Sequence, residues 1–380
     1  METISRFFEQ RNQSFFLLGP RGTGKSTFIK NEFPEALYID LLLPDVFRSY
    51  SAYPERLRDV VHAQRGKKTI LIDEVQKAPQ LLEVVHSLIE EKTGLQFILT
   101  GSSARKLRKA GVNLLAGRVL MKHMHPFIAA ELKELFNLEM ALQSGMIPLV
   151  LNSTDPALTL HAYVDLYLKE EVQMEGLTRN IGNFSRFLEI ASFSHGAILN
   201  VSNVARECRI ERKVVEGYIG ILEDLLLSYR IPVFTRRAKR AVSSHPKFYF
   251  FDTGIYNILR PSGPLDYPEE KSGSALEGLV AQHLMAWMDY RHPGCRLYYW
   301  RTSAGSEIDF IAYGKDLFWA IEVKNAAVTH PKDFRALKTF GEDYPEARRF
   351  LLYRGKERLI SDDISVEPVG EFLLNLNNLS

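Results

Sequence analysis

The sequence is poor in cysteine, has no long apolar run and carries almost no excess charge. Among its 380 residues only Cys208 and Cys295 are cysteines, which excludes a disulfide framework and a zinc cluster built on cysteine ligands. No stretch of about 18 uncharged apolar residues is present, and residues 1–13 lack the apolar core of a signal peptide. These absences predict a cytoplasmic protein without a membrane partner. The net charge of +2 leaves any nucleic-acid contact to local basic patches.

The pattern of apolar residues changes twice along the chain. The first third has short, nearly continuous apolar runs, typical of strands buried on both faces of a parallel sheet, at residues 15–18, 38–41, 69–72 and 96–99. The middle has helical periodicity, with Asp155 as the cap of a helix over 156–174 and Ser202 as the cap of the first of two helices within 201–227. After a polar segment at 261–273, a helix over 275–288 precedes strands at 297–301, 307–312 and 317–324. We therefore predict an α/β protein with domains at 1–150, 151–265 and 266–380.

The turn after the first apolar run has the spacing of a phosphate-binding loop. Its residues fit the pattern G-x-x-x-x-G-K-[ST] and read Gly19-Pro20-Arg21-Gly22-Thr23-Gly24-Lys25-Ser26. Glycines let backbone N–H groups approach phosphate oxygens, and a helix that starts near Gly24 adds the positive end of its dipole. Lys25 is suited to the β- and γ-phosphates, and the Ser26 hydroxyl is suited to Mg²⁺. The pattern predicts ATP binding, with a chance glycine turn as the alternative.

Two carboxylates follow the run at 69–72 and favour hydrolysis over binding alone. Asp73 and Glu74 would lie at the edge where open α/β sheets bind their ligands. We predict that Asp73 holds Mg²⁺ through water and that Glu74 polarises the attacking water. Many ordinary strands end in Asp-Glu, so the prediction depends on the phosphate-binding loop that precedes it.

Polar and basic residues after the run at 96–99 are further candidates. Thr100 and Ser102 would lie between the two carboxylates and the γ-phosphate, unless they are ordinary turn hydroxyls. Arg118 is the candidate for the arginine that a ring-forming ATPase supplies from a neighbouring subunit. A solvated basic surface is the alternative for Arg118 and for its basic neighbours, Arg105, Lys106, Arg108 and Lys109.

The middle region has the apolar spacing of a helix-turn-helix followed by a β-wing. Apolar residues recur every three or four positions on both sides of a short polar turn near residue 210. A basic run at 236–240 and an aromatic run at 248–251 would form the wing, and residues 200–247 contain ten Lys/Arg against five Asp/Glu. The pattern predicts a winged helix that contacts DNA phosphates. A winged helix that packs against protein, with its charges solvated, is the alternative.

The last third carries an acidic constellation. Glu277 lies on the predicted helix, Asp309 on one predicted strand, and Glu322 and Lys324 on one face of the next. Two or three such carboxylates are suited to a divalent metal, and a nearby lysine to orienting water for attack on a phosphodiester. This order predicts a restriction-endonuclease-like fold with a metal at Glu277, Asp309 and Glu322. Whether this part cleaves DNA is left open, since a fold can be retained after its catalytic activity is lost.

Taken together, these stretches resemble the AAA-type ATPases of bacteria and archaea that carry a carboxyl-terminal domain of unknown function with winged-helix and restriction-endonuclease-like parts. The resemblance covers nearly the whole chain. Its matching residues are Leu17-Leu18-Gly19-Pro20-Arg21, Gly24-Lys25-Ser26-Thr27, Leu71 to Pro79, Leu99-Thr100-Gly101-Ser102-Ser103, Leu115-Ala116-Gly117-Arg118, Pro246 to Gly254, and Trp300-Arg301 to Lys324.

The resemblance implies an AAA-type core that uses ATP with Mg²⁺ and assembles as a homo-oligomer, with a hexameric ring as one arrangement. From the motifs and the resemblance we predict an ATP-hydrolysing enzyme that binds and remodels or translocates DNA, either double-stranded or branched. Two alternatives stay open. One is a regulatory ATP switch whose later domains bind protein, and the other is a nuclease gated by ATP.

Overall fold

The computed structural model describes residues 4–8, 12–64, 66–102, 115, 117–168, 180–236, 245–264 and 267–379. The chain forms two compact units. The first unit contains Phe8–His125 and Leu222–Leu226, and the second contains Met1–Phe7, Pro126–Ile221 and Leu227–Ser380. The predicted residues Arg105, Lys106, Arg108 and Lys109, and the basic run at 237–240, lie outside the described residues.

The first unit alternates strands with helices. Its strands are β1 (Phe15–Leu18), β2 (Leu37–Asp40), β3 (Thr69–Asp73), β4 (Gln96–Gly101) and β5 (Leu120–His123). Its helices are α1 (Lys25–Glu32), α2 (Pro44–Ala52), α3 (Arg56–Ala63) and α4 (Leu81–Glu90), with a 3-10 turn at Val75–Lys77. The four predicted apolar runs are therefore confirmed as strands.

The five strands of the first unit form one sheet in the order β2-β3-β4-β1-β5. All four neighbouring pairs are parallel. Every residue of β1 is buried, as expected for a central strand covered on both faces. Because the strands are parallel, their carboxyl ends share one edge of the sheet. Strand β4 separates β1 from β3, so the residues that follow β4 lie between those that follow the other two.

The second unit begins with helices and a small antiparallel sheet. Its helices up to residue 260 are α5 (Ala129–Leu132), α6 (Leu138–Ser144), α7 (Pro148–Leu151), α8 (Pro156–Ala162), α9 (Ile181–Ser192), α10 (Val201–Cys208), α11 (Arg212–Asp224) and α12 (Thr253–Leu259), with a 3-10 turn at Lys133–Leu135 and a π-helical turn at Tyr163–Leu168. The last residues of α11 cluster with the first unit. The small sheet has the order β6-β8-β7, from Ala197–Ile198, Lys247–Phe250 and Ser228–Ile231.

Two predicted helix caps have different outcomes. The Asp155 side chain accepts a hydrogen bond from the Leu158 backbone at the start of α8, so that cap is confirmed. Ser202 is not a cap. The cap of α10 is Asn200, whose side chain accepts from the backbone N–H of Asn203, because the helix begins one residue before Ser202.

The rest of the second unit is built on a six-stranded mixed sheet of order β13-β14-β12-β11-β10-β9. The strands are β9 (Arg296–Arg301), β10 (Glu307–Tyr313), β11 (Phe318–Lys324), β12 (Arg348–Tyr353), β13 (Leu359–Ser361) and β14 (Ile364–Pro368). The helices are α13 (Pro268–Arg291), α14 (Arg335–Asp343) and α15 (Val369–Leu374), with 3-10 turns at Pro331–Phe334 and Leu376–Asn378. Helix α13 begins inside the segment that we predicted to be a polar linker, because Pro268 is well placed at a first helical position.

Apolar side chains cover both faces of this six-stranded sheet. Phe340 of α14 packs edge-on against Trp300 of β9, with centroids 5.3 Å apart. Trp287 of α13 stacks on Trp319 of β11 at 5.1 Å. The sheet is thus held between helices, and its antiparallel pairing positions the start of β10 beside the end of β11. None of the described helices is long and apolar enough to cross a membrane.

Candidate functional site: a phosphate-binding loop and a separate acidic cluster

The loop between β1 and α1 has a backbone that only certain residues can adopt. Gly24 has φ of 89°, in the left-handed region that favours glycine, and it precedes the first residue of α1. A Cβ on Gly19 would lie 2.4 Å from the carbonyl oxygen of Met124, so no larger residue fits there without movement. The hydroxyl of Thr23 donates to the Pro20 carbonyl at 2.8 Å and closes the loop from inside. The predicted loop therefore has a turn built to bring backbone close to a ligand.

The side chains of this loop differ in exposure. Lys25 is buried, and its ammonium donates to the carbonyl oxygens of Gly19 at 2.7 Å and Pro20 at 3.0 Å. Ser26 is half-buried in the first turn of α1, whereas Arg21 and Thr27 are exposed. The lysine charge is thus held at the centre of the loop, with the Ser26 hydroxyl on the adjoining helical turn.

Asp73, at the end of β3, is almost fully buried and is held by two hydroxyl groups. The Thr100 hydroxyl donates to one carboxylate oxygen. The Tyr38 hydroxyl of β2 donates to the other at 2.6 Å. Partial burial and the hydrogen bond to Asp73 raise the pKa of Tyr38 above its ordinary value, so the phenol remains a donor. Two donors therefore orient the Asp73 carboxylate.

Glu74 follows directly and adopts a left-handed backbone with φ of 58°. Its backbone N–H donates to the Thr100 hydroxyl at 3.0 Å. Gln76 links the two polar strand ends: its side-chain amide donates to a Glu74 carboxylate oxygen and, at 3.2 Å, to the Ser102 hydroxyl. The amide oxygen of Gln76 is buried without a hydrogen-bond partner. An unsatisfied polar atom beside Glu74 and Ser102 is the kind of group that a ligand or water completes.

These contacts place Thr100 and Ser102 beside the two carboxylates, at the end of the strand that separates β3 from the loop-bearing β1. The donor set fits a nucleotide phosphate and its Mg²⁺: a buried ammonium in a glycine loop, a hydroxyl in the first turn of α1, and oriented carboxylates at the same sheet edge. The parallel sheet and these residues are consistent with the fold of a P-loop protein of the AAA type.

Arg118 is engaged within its own chain. Its guanidinium pairs with a carboxylate oxygen of Glu90, at the end of α4, and both side chains are substantially exposed. The hydrogen bond and charge of Arg118 lower the pKa of Glu90. An exposed pair of this kind is weak and easily exchanged for another partner. The pairing therefore leaves the predicted role of Arg118 in a neighbouring site as a proposal.

The acidic residues of the second unit lie around Lys247, which the sequence analysis did not predict as a site residue. We name the acidic cluster after its four carboxylates, Glu277, Glu307, Asp309 and Glu322. The register of β10 and β11 pairs Phe310 with Ile321, so Asp309 and Glu322 face each other one step further along. The ammonium of Lys247 lies 3.0 Å from Glu277, 2.6 Å from Glu307 and 3.5 Å from Asp309.

Further contacts hold three of the carboxylates of the acidic cluster. One Glu277 oxygen accepts from the Tyr249 hydroxyl at 2.6 Å. Asp309 accepts from the backbone N–H of Val323 at 2.9 Å. Lys324 lies 2.5 Å from one oxygen of Glu322, and the other oxygen is buried without a hydrogen-bond partner. The sequence prediction that these acidic residues converge is thus matched by the geometry, and Lys247 lies among them.

Burial is the largest cause of the raised pKa values of Glu277 and Glu322. Burial, and next the charge of Asp309, raises the pKa of Glu277 to about 7. The same two causes raise the pKa of Glu322 well above its ordinary value. Burial opposes the charge of Lys247, but Glu277, Asp309 and Glu307 together raise its pKa above the ordinary lysine value. Lys247 is therefore a fixed positive charge in a cluster where burial raises the pKa of Glu277 and of Glu322.

The acidic cluster does not fit a divalent metal as its side chains stand. Three of its carboxylates face the Lys247 ammonium, which takes the central position that a shared cation would need. Within the described ranges, no group of three or more His, Cys, Asp or Glu side chains is arranged to hold a metal ion. We therefore derive no metal-dependent step at Glu277, Asp309 and Glu322.

Comparison with known families agrees with the geometry of the first unit. Residues 11–133 match the model of an AAA domain. Residues 136–266 match a domain of unknown function (DUF8612), and residues 272–372 match another (DUF4143). The chain thus has an AAA-type domain, which suggests an ATPase, followed by two domains of unknown function. This confirms one part of the resemblance, an AAA-type domain followed by carboxyl-terminal sequence of unknown function. No curated protein matches the chain.

Sequence reasoning missed three residues of these sites. Tyr38 lies in a strand of mixed pattern, and its contact with Asp73 depends on the pairing of β2 with β3. Gln76 lies two residues after Glu74 in the sequence, and this spacing could have indicated that their side chains are in contact. Lys247 appeared to be one basic residue among ten in a charged region. Its burial could not be read from that composition.

Proposed function

We propose that the chain is a Mg²⁺-dependent ATPase that uses hydrolysis to act on DNA. One observation carries the proposal: the glycine loop after β1 and the carboxylates after β3 lie at the same sheet edge, with Thr100 of the intervening β4 hydrogen-bonded to Asp73 and Glu74. The AAA match supports the ATPase part. The proposal that DNA is the substrate has no support from the comparisons and depends on features of the second unit.

In this proposal each polar group of the first unit has a distinct role. Lys25 neutralises phosphate charge, while Ser26 and Asp73 hold Mg²⁺. Bound Mg²⁺ would supply charge neutralisation at the transferring phosphoryl group. Glu74 polarises the attacking water and is oriented by Gln76, which already bridges Glu74 and Ser102. Arg118 of a neighbouring subunit completes the site in a homo-oligomer, of which a hexameric ring is one arrangement.

The part of the chain that we assign to DNA contact is a winged helix. The order α9, β6, α10, α11, β7, β8, with β8 between its two partners, is typical of that fold. We propose the predicted boundaries 1–150, 151–265 and 266–380 for the three functional parts. In the last part, α13 precedes the antiparallel strands β9 to β11 and then the parallel β12, an order similar to restriction-endonuclease-like domains.

A basic cleft in the second unit supports DNA as the substrate. A cavity of about 490 Å³ is lined by Arg236, Arg296 and Lys315, together with Tyr298 and Tyr313. The Arg236 guanidinium lies 5.1 Å from the centre of the Tyr313 ring. Cations beside aromatic rings suit phosphates next to bases. By contrast, Lys247 cannot contribute to such a surface, since it is buried in the acidic cluster.

A regulatory ATP switch is the second candidate, and one observation favours it. On α11, the helix that a DNA-binding winged helix would present, Arg212 pairs with Glu216 at 2.9 Å and both are exposed. This pair carries no net charge on the exposed helix, which favours protein packing over phosphate contact, although a pair this exposed is weak. The two candidates differ in DNA affinity, because phosphate contacts weaken steeply as salt increases.

Two measurements test the proposal. We expect ATP turnover of the wild type to rise with branched or double-stranded DNA and to be lost in Lys25→Ala. We also expect DNA affinity to fall with salt, and the doubly substituted Arg296→Ala/Lys315→Ala to show a shallower salt slope by about two phosphate contacts. Equal low turnover in all samples would exclude the ATPase. DNA-independent turnover without DNA binding at low salt would favour the switch.

A further inference from the structure

The acidic cluster contains an internal cation supplied by a distant part of the chain. Lys247 lies on β8, the central strand of the three-stranded sheet, where Ile198 and Ile231 flank it on the neighbouring strands. Its side chain is only 4% exposed and reaches carboxylates on α13 and β10. Tyr249, two residues along the same strand and on the same face, donates to the same Glu277 oxygen. Two residues of β8 therefore contact the cluster.

A buried charge of this kind is retained only when it is compensated. Moving an isolated ammonium or an isolated carboxylate from water into a protein interior is unfavourable in free energy. Here the separations of 2.6 to 3.5 Å between the ammonium and three carboxylates provide that compensation on both sides. If Lys247 were removed, the same three carboxylates would need another cation or would have to take up protons.

We propose that Lys247 is a built-in substitute for a divalent metal in the acidic cluster, so that the cluster of the native protein binds its own lysine and excludes Mg²⁺ and Mn²⁺. The cluster then connects β8 to α13 and β10 and does not supply metal-dependent cleavage of DNA. The proposal is independent of ATP hydrolysis by the first unit, since every contact that carries it lies in the second.

The proposal makes a specific statement about a variant without the lysine charge. Lys247→Met keeps an unbranched chain of similar length but leaves the surrounding carboxylates without their central cation. Asp and Glu oxygens are the ligands that Mn²⁺ and Mg²⁺ prefer. We therefore expect Lys247→Met to be less stable than the wild type in the absence of metal and to gain a divalent-cation site.

The test is a titration of nucleotide-free full-length protein with Mn²⁺, followed by the electron paramagnetic resonance signal of the free ion. Any binding by the first unit is common to all variants and is subtracted with the wild type. We expect Lys247→Met to bind one Mn²⁺ more than the wild type does, with an affinity at least about tenfold above any residual binding of the wild-type cluster. The variant lacks the positive charge that repels the ion, while the carboxylate ligands remain. The double variant Lys247→Met/Asp309→Asn should lose that site.

Two controls separate this effect from a general loss of charge. Lys338→Met removes another lysine of the second unit, one that pairs with Asp362 at 2.6 Å on the surface, and should not change Mn²⁺ binding. Lys247→Arg keeps the positive charge and should continue to exclude the ion. The thermal midpoint of Lys247→Met should rise with Mn²⁺, whereas that of Lys247→Arg should not.

Three results would overturn the proposal. The first is Mn²⁺ binding by the wild type that Glu277→Gln removes, since the cluster would then be a native metal site. The second is a folded Lys247→Met that gains no Mn²⁺ site. The third is Mn²⁺-dependent DNA cleavage by the wild type that is lost in Glu322→Gln. If Lys247→Met does not fold, the comparison of the wild type with Glu277→Gln still decides the question.

Discussion

The ammonium of Lys25 lies 2.7 Å from the carbonyl oxygen of Gly19, six residues earlier in the chain. The same ammonium also reaches Pro20, so the lysine is directed across the loop and not away from it. Carbonyl oxygens hold the charge in place before any ligand is bound. A phosphate that enters the loop therefore meets a positive charge that is already positioned, which lowers the cost of ordering a flexible side chain.

Removing this charge should abolish nucleotide binding. We expect Lys25→Ala to weaken ATP binding by about 100-fold or more, since charge-assisted contacts to phosphate are among the strongest that a side chain makes. A fluorescent ATP analogue titrated into each protein measures the effect. Lys68→Ala is the matched control, because Lys68 is exposed and precedes β3 at the other edge of the sheet. Unchanged affinity of Lys25→Ala would remove the loop from nucleotide binding.

Glu74 should matter for hydrolysis and not for binding. We expect Glu74→Gln to lower ATP turnover by about 10²- to 10⁴-fold, the usual range for loss of a general base, while ATP affinity stays within a few-fold of the wild type. Steady-state turnover and equilibrium titration distinguish the two effects. Glu83→Gln, an exposed glutamate in the first turn of α4, should leave both unchanged. Equal losses of turnover in the two variants would contradict the assignment.

The hydrogen bond between Tyr38 and Asp73 should contribute to stability. Tyr38→Phe removes a donor from a buried carboxylate without changing the packed ring, and we expect a loss of about 1–2 kcal/mol in the free energy of unfolding. Urea denaturation measures it. Tyr53→Phe serves as the control, since Tyr53 is 74% exposed. If Tyr38→Phe were as stable as the wild type, the contact would not orient Asp73 to any measurable extent.

A role for Arg118 in a neighbouring subunit can be tested by mixing variants. Arg118→Ala and Glu74→Gln should each have low ATP turnover. If Arg118 acts on the site of the next subunit, a mixed oligomer contains interfaces that join an intact Glu74 to an intact Arg118. Turnover of the mixture should then exceed the sum of the separate samples. Additive turnover would restrict Arg118 to its contact with Glu90.

A buried histidine should make the second unit sensitive to acid. Burial lowers the pKa of His195 to about 3, while an unfolded histidine titrates near about 6.5. Between those values the unfolded state binds more protons than the folded state, so stability is complete above about pH 6.5 and decreases as the pH falls. The Nδ1 atom of His195 accepts from the backbone N–H of Phe250 at 3.1 Å, and protonation would break that bond.

We expect this pH dependence to disappear in His195→Gln, whose amide oxygen can accept the same hydrogen bond. Below about pH 6.5 the wild type should lose stability relative to the variant by about 1.4 kcal/mol per pH unit at most. Urea denaturation at several pH values measures the difference. His161→Gln, at an exposed position near the end of α8, should run parallel to the wild type. A constant difference between His195→Gln and the wild type would show that the folded imidazole takes up protons normally.

The sequence predicted the parts of the fold that depend on local pattern. The continuous apolar run of β1 and the phosphate-loop spacing after it are local, and so is the cap at Asp155. The order of the strands in the sheet depends on contacts between distant residues and was not predicted. The motifs did predict that the glycine loop and the carboxylates after β3 lie at the same end of the sheet. Lys247 shows the limit: its partners are 30 to 62 residues away, and only the packing of β8 against α13 and β10 turns a basic residue into a buried cation.

The strands of the first unit begin at the end of the sheet opposite the predicted nucleotide loop. The turns that precede them there are available for engineering. Residues 92–94 before β4 are exposed. In a protein whose half-buried Cys295 is replaced by serine, Thr93→Cys would carry a fluorophore separated by the length of the strand from Thr100 and Ser102. In the proposed homo-oligomer, energy transfer between labelled copies would then report subunit exchange and nucleotide-driven rearrangement.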